Sequence, residues 1–418
     1  MTLKTALALL TILLNLPMQA LSIGSFETTG YYKNFSVAID PAKFPDTEHD
    51  LTGFMNNRLR LNVSFAPEEW FSFHVAYDFS PRIQDRAFSE SAFQFPSIDP
   101  LSYRAFDFDS KLYPSNGEEM KSFAIHHNLD RALITLVTKN ADIFLGRQAI
   151  AWGSARAVNP TDVVAPYTFD ELDVEDRIGV DAFRIRIPIG ALGELDNGYI
   201  FGDEFDFDES AFFSRCKLYI ARSDVTALLL GFRESFLVGV DVARSLGGAG
   251  VWIEAAHVFT GALNSNERDS GEDYFRATVG CDYSFTGKAY GFIEYHINSA
   301  GATDPEEYLG RFSKPAYADG AVYLMGRHYL VPGLMLQPTP LFTLDAQALW
   351  NLLDPSILIA PMLEYNIAEN IYISGGAFIG FGKMPHRDAG EMQDSSTAFR
   401  SEFGSYPDVY FASLRIYF

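Results

Sequence analysis

Hydrophobic residues in this chain recur at every second position, stretch after stretch. Met55, Leu59, Leu61, Val63 and Phe65 share one face, broken by Asn57, while Asn56, Arg58, Arg60, Asn62 and Ser64 share the other. Phe71, Phe73, Val75, Tyr77 and Phe79 oppose Ser72, His74, Ala76, Asp78 and Ser80. The same two-residue period returns over 275–285 and 289–298. It is the signature of strands with one apolar face. A soluble sandwich alternates in this way too, burying its apolar faces against a second sheet. Two features favour a closed barrel with an apolar outer wall: Arg, Asp and Glu recur near strand centres, and short turns alternate with long connections. Composition agrees, since 48% of residues are hydrophobic and 15% aromatic. Yet beyond the first residues no run reaches the ~18 apolar positions of a spanning helix.

Eighteen such segments can be counted from 24–39 to 408–418, among them 141–153 and 320–335, at roughly 22 residues per strand and connection, a porin-like spacing. Sixteen strands is the alternative, because 195–221 and 225–244 alternate poorly. The fold class is therefore all-β, a transmembrane antiparallel up-and-down barrel. Tight turns fall at 66–69, 139–141, 286–288 and 368–370, and long connections at 81–120, 154–177, 299–319 and 383–407. An even count places both termini on one side, expected to be the periplasm, with the long connections outside.

The chain's ends point to export. Lys4, an apolar run from Ala6 to Leu16 and small residues up to Ser22 form a signal peptide over 1–22, leaving 23–418 as the barrel domain. At the other end Tyr410, Ala412, Leu414, Ile416 and Phe418 share one face. An alternating segment with a terminal Phe resembles the assembly signal of bacterial outer-membrane barrels. That resemblance implies contact with barrel-assembly machinery, outer-membrane lipid and lipopolysaccharide. The net charge of −22, or −23 without Lys4, argues against nucleic acid. Cys216 and Cys281 lie in strands and are expected to face lipid as small apolar residues rather than form a bridge.

The most distinctive stretch is Gly146-Arg147-Gln148, then Trp152-Gly153, Asn159-Pro160-Thr161-Asp162 and Arg177-Ile178-Gly179. These motifs resemble a broad group of largely uncharacterised outer-membrane barrels, akin to porins and more loosely to alginate-export barrels. The motifs cover about 40 residues, and the resemblance implies a channel or export conduit without naming a solute. In porin-like barrels an early long connection folds inward, which makes Asn159, Asp162, Asp170, Glu171, Asp173, Glu175, Asp176 and Arg177 constriction candidates. An outward loop packed on its neighbours is the other reading.

The pore-lining candidates are Arg58, Arg60, His74, Asp78, Arg147, Arg184, Arg186, Arg215, Lys217, Arg276, Asp282, Glu294, Arg327 and Arg415. Such charges either set ion preference or pair across strands to brace the wall. Free arginines would give a weak anion preference. Catalysis has no support: no nucleophile elbow, His-Glu-x-x-His or phosphate-cradling motif occurs. His126-His127 is a poor metal site, since adjacent strand residues point to opposite faces. No cofactor or metal is expected. The function expected is a channel or export conduit for small hydrophilic or anionic solutes, possible as a homo-oligomer; the alternative is a surface-binding or structural barrel with an occluded lumen.

Overall fold

The computed structural model describes residues 25–41, 50–86, 103–108, 110–115, 121–264, 271–387 and 397–418. The expected signal peptide, 1–22, lies outside them, as do parts of the connections 81–120 and 383–407. Eighteen long strands follow one another: β1 (Ser25–Asp40), β2 (Thr52–Glu68), β3 (Phe71–Gln84), β4 (Phe123–Val137), β5 (Asp142–Gln148) and β6 (Val180–Ile189). Next come β7 (Gly193–Ile200), β8 (Ala211–Ile220), β9 (Ser223–Phe232), β10 (Ser235–Leu246), β11 (Ala249–Phe259) and β12 (Tyr274–Thr286). The ring is completed by β13 (Ala289–Asn298), β14 (His328–Thr339), β15 (Phe342–Asn351), β16 (Ser356–Ala368), β17 (Ile371–Phe381) and β18 (Asp408–Tyr417).

Each strand pairs antiparallel with the next, and β18 pairs with both β17 and β1, so the sheet has no open edge. Closure is completed by Phe418 and Gly30, which exchange backbone hydrogen bonds of 2.9 and 2.7 Å. The poorly alternating region 195–244 contributes four strands, which removes the sixteen-strand alternative.

Burial is inverted relative to a water-soluble protein. Large apolar side chains such as Leu229, Ile253, Val279, Ile293, Leu334 and Ile373 stand exposed on the outer wall, whereas Lys33, Arg60, Asp196, Glu254 and Glu294 are buried inside. Cys216 and Cys281 are free, and their strand partners Ala227 and Ile293 put both on the outer wall. No helix among the described residues is long and apolar enough to cross a membrane.

Three local departures from regular alternation shape the lumen. In β4 the register slips so that Ala76 faces Arg131 and Tyr77 faces Leu129, leaving Asp130 as a bulge. Two consecutive charged residues, Asp130 and Arg131, thereby both turn inward and are buried. The strand expected over 141–153 ends at Gln148, because Gly146 adopts φ +110°, where a Cβ would lie 2.1 Å from the Ala132 carbonyl oxygen. The strand expected over 320–335 begins only at His328. Residues before it bond inward instead: the Leu324 carbonyl accepts from Asn298 at the end of β13, and Met325 N–H donates to Glu402.

Candidate pore constriction

The connection between β5 and β6 does not stay outside the ring. Its first limb binds the wall formed by β10 to β13. One Glu254 carboxylate accepts from Ser154 N–H (3.0 Å), Ala155 N–H (3.1 Å), Thr161 N–H (2.9 Å) and Thr161 Oγ (2.7 Å). Glu294 accepts from the N–H groups of Arg156 and Ala157 and from Trp252 Nε1. Ser154 Oγ donates to Asp241, Arg276 donates to the Asn159 carbonyl (2.7 Å), and Thr278 to that of Val158 (2.8 Å). Gly153 is required here. Its φ is +103°, and a Cβ would stand 2.6 Å from both Glu254 oxygens.

The second limb reaches the opposite wall. Register aligns three cations in one inward row, Lys33 beside Arg58 on β2 and Arg415 on β18. Like charges directly opposite one another destabilise a sheet. The acidic run of the connection offsets them: Lys33 Nζ lies 3.0 Å from Asp173 and 2.6 Å from Glu175, and Arg58 pairs with Asp173. Tyr31 donates to Asp176 and Tyr417 to Glu175, each at 2.7 Å. Burial raises the Asp176 carboxyl, but the Tyr31 hydroxyl with Arg60, Lys33 and Arg58 outweighs it and holds the group below its usual range. Since β11 stands nearly across the ring from β1 and β2, the segment spans the lumen.

Between the two anchors the connection is braced by itself. Arg177 pairs with the buried Asp162, whose carboxyl burial pushes up to about 6. The Arg177 carbonyl accepts from Arg131 at 2.6 Å. Two further connections also fold inward. Glu402, fully buried, accepts from Met325 N–H (2.9 Å), Tyr329 (2.6 Å) and Asn351 (2.8 Å), tying 399–407 to the segment before β14. Burial pushes its carboxyl up to about 7.

Most of the basic residues expected in the lumen are there, but none stands alone. Arg60 pairs with Asp78 (3.2 Å) and Asp130 (2.7 Å), Arg184 with Asp196, Arg186 and Arg215 with Glu194, Lys217 with Asp224, and Arg415 with Glu364. Asp282 takes Arg156 and Tyr290, and His74 faces inward opposite Ser64 and Leu133. Two residues are placed differently. Arg147 falls beside Asp181, on the face opposite the lumen-facing Val180 and Ala182, and also bonds the overlying Phe106 and Asp107. Ordinary alternation explains this: the register runs unbroken from Asp142 to Gln148, so Arg147 shares the face of the exposed Leu145. Arg327 lies before its strand and donates to the Gly301 carbonyl at 2.7 Å.

Asp170 and Glu171 form no ion pair among the described residues and line a cavity of about 650 Å³. A second cavity of about 260 Å³ lies beyond the connection, lined by Trp152, Arg156, Arg177 and Arg276. The two cavities share only Pro166, Tyr167 and Tyr323, and the two tyrosine hydroxyls have no hydrogen-bond partner among the described residues. Sequence reading missed Lys33, Glu254, Asp130, Arg131 and Glu402. Lys33 and Glu254 were accessible from strand parity; the bulge at Asp130 left no signal.

No protein-family model matches the chain, and no curated protein matches it. Among solved structures, the chain is similar to the outer membrane protein OprD from Pseudomonas aeruginosa, with a TM-score of 0.54 at 7% identity over 95% of this chain and 94% of that one. Acinetobacter baumannii OccAB2 gives a TM-score of 0.57 at 6% identity over 94% and 98%. Pseudomonas aeruginosa OccD3 gives 0.53 at 9% over 94% and 91%. At these identities the likeness concerns architecture: the chain has the barrel fold of OprD and the Occ proteins.

Proposed function

We propose that the protein is a porin-like outer-membrane channel for small hydrophilic solutes. The carrying observation is the 149–179 connection, held across the lumen by ionic and hydrogen bonds to opposite walls of a ring whose outside is apolar. Such a partition leaves a wide mouth, a narrow middle and a second chamber, and it selects by size and charge. In this reading both termini are periplasmic, the long connections lie outside, 1–22 directs export and the segment ending at Phe418 is read by the assembly machinery. The pore's charge balance differs from the simple expectation of free arginines. Most of its cations are matched by carboxylates, Arg276 is held by backbone carbonyls, and Asp170 and Glu171 remain at the mouth. The net field there favours cations.

The occluded barrel is the second reading, favoured by the partition that Pro166, Tyr167 and Tyr323 place between the cavities. Purified protein in a planar lipid bilayer separates the two. Discrete ohmic steps support the channel, whereas silence with correctly folded protein means a binding or structural barrel.

A further inference from the structure

The outer wall is mostly apolar; polar side chains such as Asn197 opposite Ser214 and His257 interrupt it singly, and they gather along one seam. Between Phe26 and Asp40 the outward positions of β1 are Thr28, Gly30, Tyr32, Asn34, Ser36 and Ala38, since the alternate residues Tyr31, Lys33, Phe35 and Val37 are buried inside. Among the described residues it is the only strand of the ring whose outward face carries no Val, Leu, Ile or Met. The neighbouring strand adds a second amide, because Asn57 lies opposite Asn34 in the register. On the other side Asn34 faces Leu414, midway between Tyr410 and Phe418. Two amides therefore stand side by side at mid-height of a surface whose other outward amide, Asn197, faces only Ser214 and Ile185.

The seam is organised. Tyr32 and Asn34 donate to Asn57 Oδ1 at 2.7 and 2.8 Å, Ser36 donates to Asn34 Oδ1 at 3.2 Å, and Asn57 donates to the Pro81 carbonyl at 3.3 Å. Each amide carries two N–H donors, so each keeps one without an acceptor among the described residues. Directly above, Ser36, Ala38, Gly53 and Ala412 floor a hollow of about 480 Å³, rimmed by Met55 and the exposed ring of Tyr410. Small side chains of this kind allow close approach between membrane surfaces.

From this juxtaposition we infer that the β1–β2–β18 face is where a second copy of the chain docks. Unused amide donors in hydrocarbon are costly, because lipid tails offer no acceptor. Asn34 Oδ1 accepts from Ser36 and keeps a second lone pair, so the same patch on another copy supplies an acceptor that this one lacks. A protruding ring beside a hollow is likewise self-complementary, as a two-fold interface needs. The inference rests on the membrane placement of the outer wall and is independent of whether the lumen conducts.

The test uses the full chain with Cys216→Ser and Cys281→Ser, reconstituted in lipid. Native mass spectrometry should give the mass of two or more chains, and Ser36→Cys should form an intermolecular disulfide while Val279→Cys, on another part of the wall, should not. Asn34→Leu with Asn57→Leu should return single chains that keep the heat-resistant folded band. A wild-type chain that stays single, an assembly the double substitution leaves intact, or cross-linking through Val279→Cys alone would overturn the interface. Copurified lipopolysaccharide on single chains would also overturn it. A monomer that still conducts would remove this interface and leave the channel standing.

Discussion

Lys33 Nζ lies 3.0 Å from Asp173 Oδ1, although 140 residues separate them in the chain. Lys33 is fully buried in the lumen, where register places it between Arg58 and Arg415. A row of three neighbouring cations is tolerable because the connection delivers Asp173 and Glu175 to it. The constriction and the neutrality of the wall are thus one structural event.

Deleting 164–176 should consequently do two things at once. It removes the lumen-crossing segment, so single-channel conductance should rise severalfold. It also strips the carboxylates from Lys33 and Arg58, so a weak cation preference should turn into an anion preference. Reversal potentials in a salt gradient check the sign, and the preference should weaken at high salt as screening shortens to about 3 Å at 1 M. An unchanged sign would show that Asp173 and Glu175 do not set the local field.

Charge reversal at Arg60 should act on folding before it acts on selectivity. Its guanidinium is buried between Asp78 and Asp130, and removing one partner of a buried ionic cluster costs about 3–5 kcal/mol. Arg60→Glu, which adds a third carboxylate, should lower the yield of heat-resistant barrel and its denaturant midpoint more than Arg60→Met. Equal midpoints for the two variants would mean that the cluster is solvated and weak.

The inward docking of 399–407 should depend on pH. Burial raises the Glu402 carboxyl from 4.5 to about 7, so the docked state holds its proton more tightly than the free segment. The resulting stabilisation is complete below about 4.5 and is lost as pH rises through about 7. Protease protection of this segment should therefore fall between pH 5 and pH 8, and Glu402→Gln should flatten the profile. Protection that increases with pH would contradict the assignment.

The seam offers a test of assembly. Phe418 pairs with Gly30 through two backbone bonds, and its ring stands 2.9 Å from where a Gly30 Cβ would sit. Gly30→Val should push the ring away and lower the amount of inserted protein, as Phe418→Ala or removal of Phe418 should. Quantifying membrane-inserted protein by heat-modifiable mobility checks all three; wild-type levels in each would show the seam closes without this packing.

Much of the architecture was legible because it is local. Alternation in 275–285 or 289–298 requires only that successive side chains point to opposite faces, so strand number and the sides of Cys281 and Glu294 followed from residue order. Legibility failed where one backbone torsion or one extra residue broke the pattern. Gly146 ended β5 early, and the Asp130 bulge brought two adjacent charges inside, whereas Arg147 follows the parity of the outward Leu145. The motif residues Gly153, Asn159, Thr161, Asp162 and Arg177 stood out in the sequence, but their common purpose did not. They are the joints of a strap whose partner Glu254 lies 93 residues beyond Thr161.

Residue order alone determined that this chain forms many antiparallel strands with an apolar outside and a charged inside, because a two-residue period is written within each segment. Only the tertiary structure decided that the inward charges are already paired and that an acidic connection crosses the lumen. Those outcomes depend on cross-strand register and on contacts such as Lys33 with Asp173 and Thr161 with Glu254. A ring of eighteen strands creates such neighbours when it closes, and no local pattern encodes them.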